Sequence, residues 1–67
     1  MTPLQITLIL GDWSIEYRDS RVPQIGEQVC LSGYKSGTYK VIDVKTDILI
    51  ASAIQKVSYI SYCVYIQ

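Results

Sequence analysis

Leu4-Gln5-Ile6-Thr7-Leu8-Ile9-Leu10-Gly11-Asp12-Trp13-Ser14-Ile15-Glu16-Tyr17 reads as a β-hairpin. A two-residue turn at Gly11-Asp12 sets Leu10 against Trp13, Leu8 against Ile15 and Ile6 against Tyr17. Side chains alternate along a strand and cross-strand partners share a side, so all of these occupy one face. Ile9 with Ser14, Thr7 with Glu16 and Gln5 with Arg18 take the other face, which is mostly polar. One apolar and one wet face predict a small antiparallel β domain.

The rest of the chain continues in the same style. Pro23 and Gly26 punctuate Val22-Pro23-Gln24-Ile25-Gly26, one by removing a donor and the other by permitting a positive φ. Glu27 to Leu31 reads as a short strand, and Ser32-Gly33-Tyr34-Lys35-Ser36-Gly37 as a glycine-bracketed loop. Thr38 to Val44 is β-rich but changes phase: Tyr39 and Val41 share one face, then Ile42 and Val44 share the other. Such a change predicts a bulge or a strand bent around a barrel. Lys45-Thr46-Asp47 reads as a turn, Ile48 to Ile54 as a strand, Gln55-Lys56 as a reversal and Val57 to Ile66 as the longest strand. Helical periodicity, internal repeats and low-complexity runs are missing. The fold class expected is all-β, a five- to six-stranded antiparallel barrel or roll over residues 1–67.

A chain of 67 residues has room for one core, and a core that small leaves a domain marginal unless it is stapled or assembled. Staples are scarce. There is no His, and the two cysteines, Cys30 and Cys63, are too few for a structural zinc site. With no basic leader ahead of the hairpin, both are expected to be reduced, buried thiols in a cytoplasmic protein. The apolar stretch from Ile48 to Ile66 carries Gln55, Lys56 and several serines, which reads as strands and not as a membrane helix. Self-association is then the expected supplement to the thin core.

Val22-Pro23-Gln24-Ile25-Gly26-Glu27-Gln28-Val29, then Tyr39-Lys40-Val41-Ile42-Asp43-Val44, then Cys63-Val64-Tyr65-Ile66 form a pattern of Pro-x-x-Gly-Glu-x-Val followed by Tyr-x-Val-x-x-Val. This pattern resembles an SH3-like small barrel of a kind common among short phage and mobile-element proteins. The resemblance implies a protein that acts by binding, either sterically blocking a host protein or contributing to a virion assembly. The stretch from Gly26 through Gly37 to Lys40-Val41 also resembles the KOW motif, although Tyr39 stands where that motif carries a glycine. That second resemblance implies nucleic-acid contacts from the Ser32–Gly37 loop.

Residue chemistry argues against catalysis. Without His, a general base near neutrality would have to be a strongly shifted carboxylate or lysine. Phosphate-cradling glycine motifs are absent, and Asp43 with Asp47 reads as turn carboxylates, so no cofactor or metal is expected. Six basic residues offset six acidic ones. A stripe of Lys35, Lys40 and Lys45 would therefore bind nucleic acid only weakly and salt-sensitively. Six tyrosines and no phenylalanine point instead to recognition, because tyrosine supplies contact area at low entropic cost. Tyr17 and Tyr39 are expected to seal the barrel rim. Tyr59, Tyr62, Cys63 and Tyr65 on the last strand are the expected oligomer interface, for a homodimer or larger assembly. Tyr34, Lys35 and Arg18 are the expected outward recognition group, directed at a host protein. A cleft between subunits, lined by tyrosine and lysine, would be an alternative as a sponge for a small anionic nucleotide.

Overall fold

The computed structural model describes residues 3–50 and 57–67. The strands are β1 (Leu4–Leu10), β2 (Trp13–Asp19), β3 (Gln28–Leu31), β4 (Gly37–Ile50) and β5 (Val57–Ile66). They form a single curled sheet in the order β2-β1-β5-β4-β3, a half-barrel whose outer strands β2 and β3 are not paired with each other.

The β1–β2 hairpin has the register the alternation requires: Leu10↔Trp13, Leu8↔Ile15 and Ile6↔Tyr17 on one face. Gly11 has φ 62 and Asp12 does not share the positive φ, the pattern of a type II′ turn with glycine first. The sheet is not purely antiparallel. β5 runs parallel to β1, with Ile6↔Tyr62 and Leu8↔Val64, while β4 pairs antiparallel with β5. Hairpin reasoning sees only sequence neighbours, and this pairing joins the first strand to the last.

The phase change in β4 is a bulge between Val41 and Asp43. Ile42 is the extra residue, and the slip returns Val44 to the same side as Val41, where it packs on the core. Lys45-Thr46-Asp47 is not a turn: it pairs with Cys63, Tyr62 and Ser61 within a continuous strand of 14 residues. Thr46, β-branched and paired with Tyr62, fits a strand as well as a turn, and the long β5 opposite supplies the partners. Of the Ile48–Ile54 strand, residues 48–50 extend β4; the remainder and the Gln55-Lys56 reversal lie outside the described residues.

Among the described residues the buried apolar side chains are Ile6, Leu8, Val41, Val64 and Ile66, from the central strands β1, β4 and β5. Leu4, Leu10, Tyr17, Val29, Leu31 and Tyr39 pack around them. Gly26 (φ 94) turns the chain into β3, its N–H donating to the Val41 carbonyl at 2.9 Å. Arg21 donates to both Glu27 carboxylate oxygens, and the Gln24 N–H donates to one of them at 3.0 Å. No helix of the described residues is long and apolar enough to cross a membrane.

Candidate interaction surfaces

Strand lengths account for a cluster of exposed apolar side chains. β4 is twice as long as β1, so it overshoots the sheet. The β1–β5 ladder begins at Gln5↔Ser61, and β3 pairs only with Gly37 to Lys40. From Ile48 to Ile50, β4 therefore has β5 as its one ladder partner, and Val57 to Ile60 have only β4, among the described residues. The result is a two-stranded arm. By register, Ile48 and Ile60 continue the core-facing side and Leu49 and Tyr59 the outer side. All are exposed, Leu49 at 57% and Tyr59 at 42%, with Ile50 at 59%. An isolated pair of strands is marginal in water, and this one is apolar on both faces.

A groove of about 330 Å³ opens between β2 and β3, which are not paired with each other. Leu8, Ile15, Tyr17, Val29 and Leu31 line it with Cys30. Ile15 belongs to the core-facing side of the hairpin yet is 47% exposed, because no strand bridges the gap above it. Burial pushes the Tyr17 phenol above its usual value, and the negative charge of Asp19 adds to the effect. A second recess of about 470 Å³ lies beside the bulge, between Ile9, Ile42, Tyr65 and Gln67.

The residues singled out on the last strand divide between two faces. Tyr59, Cys63 and Tyr65 share the outer face, whereas Tyr62 stands opposite Ile6 on the inner face and is half-buried. The Lys45 ammonium lies 5.2 Å from the centre of the Tyr65 ring. Tyr34 and Lys35 sit together at the other end of β4. The Lys35 ammonium is 5.8 Å from the Tyr34 ring centre, and Tyr34 tilts against Trp13 at 6.0 Å while staying 74% exposed. Lys35 has φ 60, and its carbonyl accepts a hydrogen bond from the Tyr39 hydroxyl at 2.8 Å, which ties the loop to the strand. Arg18 is not brought to this group: it pairs with Gln5, roughly 17 Å along β2 from Trp13. Tyr17 and Tyr39 pack at the margin of the core.

Both cysteines are free, but neither is buried as expected: Cys30 is exposed on β3 and Cys63 is half-buried on β5. As an outer strand, β3 covers Val29 and Leu31 on one side and leaves Cys30 on the other. Cys63 lies opposite Lys45 and Cys30 opposite Thr38, which separates them by roughly 20 Å along β4, too far for a disulfide. On the outward side of β4, Asp43 and Asp47 alternate with Lys45, so Lys40 and Lys45 do not form an unbroken basic stripe. Among the described residues no cluster of three metal-ligating side chains occurs. The arm is the feature that sequence reasoning missed. Its signal was the charge-free run from Ile48 to Gln55, which is apolar at consecutive and not alternate positions.

No protein-family model matches the chain, and neither a curated protein nor a solved structure matches it.

Proposed function

We propose that this chain is a non-catalytic interaction protein of the small SH3-like barrel type, encoded by a phage or mobile element. It works as an oligomer that binds a host protein and blocks it sterically, or contributes to a virion assembly. The observation that carries the reading is the arm. Ile48, Leu49, Ile50, Tyr59 and Ile60 expose apolar surface on both faces of a ribbon that has no third strand beside it among the described residues. Such a surface is stable in water only when something covers it. The Tyr34–Lys35 loop stands at the opposite end of β4, so covering the arm leaves an aromatic and a cation free for a partner. Light scattering after gel filtration tests the first half: the chain should elute at a mass above 7.6 kDa at micromolar concentration. A monodisperse monomer refutes self-association. Affinity capture from a bacterial lysate tests the second half, with Tyr34→Ala and Lys35→Glu each expected to lose the captured protein while keeping the assembly.

A further inference from the structure

The arm is one half of an unsatisfied pair and the groove between β2 and β3 is the other. Resting on the self-association proposed above, we infer that the groove's occupant is the β4–β5 arm of a second copy, exchanged reciprocally across a two-fold axis. Four observations converge on a copy of this chain.

The arm does not fill its own groove. β4 and β5 lie inside the sheet order while the groove opens between the two outer strands, and Ile48, Leu49, Ile60 and Ile15 all remain exposed in the single chain. The two surfaces also match in character. The arm offers aliphatic side chains, the groove is lined by Leu8, Ile15, Val29 and Leu31, and no charged residue lines it.

Surface area supplies the third argument. A compact monomer of this mass exposes roughly 4,300 Å². This chain exposes 4988 Å². The excess, roughly 700 Å², is close to the ~800 Å² that each partner buries in a standard interface. The radius of gyration agrees: 13.4 Å against roughly 11 Å for a compact chain of this length. Finally, the formal net charge is zero, so two copies approach without long-range repulsion. A two-fold arrangement uses both junctions at once and closes the assembly at a dimer.

Complementation between two variants tests this. Leu49→Lys charges the arm and leaves the groove intact; Ile15→Lys charges the groove and leaves the arm intact. Each alone should raise the dimer dissociation constant roughly tenfold or more, as loss of a central apolar anchor does. Mixed one to one, they should form a heterodimer, because one arm and one groove remain sound. Near-ultraviolet circular dichroism checks that each variant is folded, and Ile15→Thr serves as the groove variant if Ile15→Lys is not. A groove variant that dimerises as the wild type does overturns the inference and leaves self-association standing. Two folded monomeric variants that fail to rescue each other also overturn it, because one sound arm and one sound groove would then not make a junction. A wild-type monomer overturns both this inference and the reading beneath it.

Discussion

Val64→Ala tests whether the core lies where β1, β5 and β4 meet. Val64 is fully buried, with Leu8 beside it on β1 and Val44 on β4. The substitution deletes two methyl groups, about 1.6 kcal/mol of transfer free energy. A void of roughly 40 Å³ in so tight a place adds about 1 kcal/mol. The loss is then about 2.5 kcal/mol, against a total of roughly 3–10 kcal/mol for a domain this long. Urea unfolding, followed by the fluorescence of the sole tryptophan, Trp13, reads this out. With a slope of about 1 kcal/mol per molar, the midpoint should fall by about 2.5 M. Ile48→Ala is the control. Its side chain is half in water and leaves no closed void, so dilute protein should lose only about 1 kcal/mol. The two should also differ with concentration. Val64→Ala lowers the midpoint at every concentration, whereas Ile48→Ala should flatten the rise in stability that the proposed association would bring. If Val64→Ala costs no more than Ile48→Ala in dilute solution, the core has been placed on the wrong strands.

Three further outcomes follow from particular contacts. Tyr39→Phe removes the hydroxyl that donates to the Lys35 carbonyl and should cost about 1 kcal/mol, with faster amide exchange confined to the Ser32–Gly37 loop; unchanged exchange there would refute the tie. Gly26→Ala meets no atom within 4 Å, so its cost is conformational, from φ 94 alone: about 1–2 kcal/mol, a melting point lower by roughly 5–15 °C, and an unshifted melt would contradict the turn. Glu27 is held below the ordinary carboxylate value of 4.5, first by the hydrogen bond from Arg21 and then by the Gln24 N–H. Because the folded value is the lower one, its contribution is complete above the unfolded value and is lost as pH falls through the folded one. Carbon-detected titration of Glu27 should find a midpoint under 4.5, moved upward by Arg21→Ala; a midpoint that ignores that substitution would dissolve the pair.

Alternation made β1, β2 and β5 legible, because period two is strict and a two-residue turn fixes the register. Leu8↔Ile15 follows from counting across Gly11-Asp12. The bulge at Ile42 was legible for the same reason, as a break in that period. The parallel pairing of β1 with β5 was not, since no local pattern tells a strand which distant neighbour it meets. Lys45-Thr46-Asp47 misled because polar residues resemble a turn when only propensity is weighed, yet the outward face of β4 is polar by alternation: Asp43, Lys45 and Asp47 share it. Tyr62 was grouped with Tyr59 and Tyr65 for being tyrosine, although its position in the strand assigns it to the inner face opposite Ile6. The exposure of Cys30 depended on β3 lying at the sheet's edge, which only the topology decides.

The same topology explains why the exposed apolar surface collects where it does. Pairing the first strand with the last draws β5 into the centre of the sheet, and the ladder with β1 can be no longer than β1 itself, seven residues. β4 runs for 14, so its excess length must leave the body at Gln5↔Ser61. The sheet also stays open at the opposite side: β3 has four residues, pairs only with Gly37 to Lys40 of β4 and is not paired with β2. A long strand and a short one in a single sheet thus leave a projection and an opening together. Shortening β4 would remove the exposed apolar side chains from Ile48 to Ile50, and a strand paired between β2 and β3 would shut the groove. Either change would remove an exposed apolar feature from the single chain, and the chain has neither, so the projection and the opening stand together in one sheet.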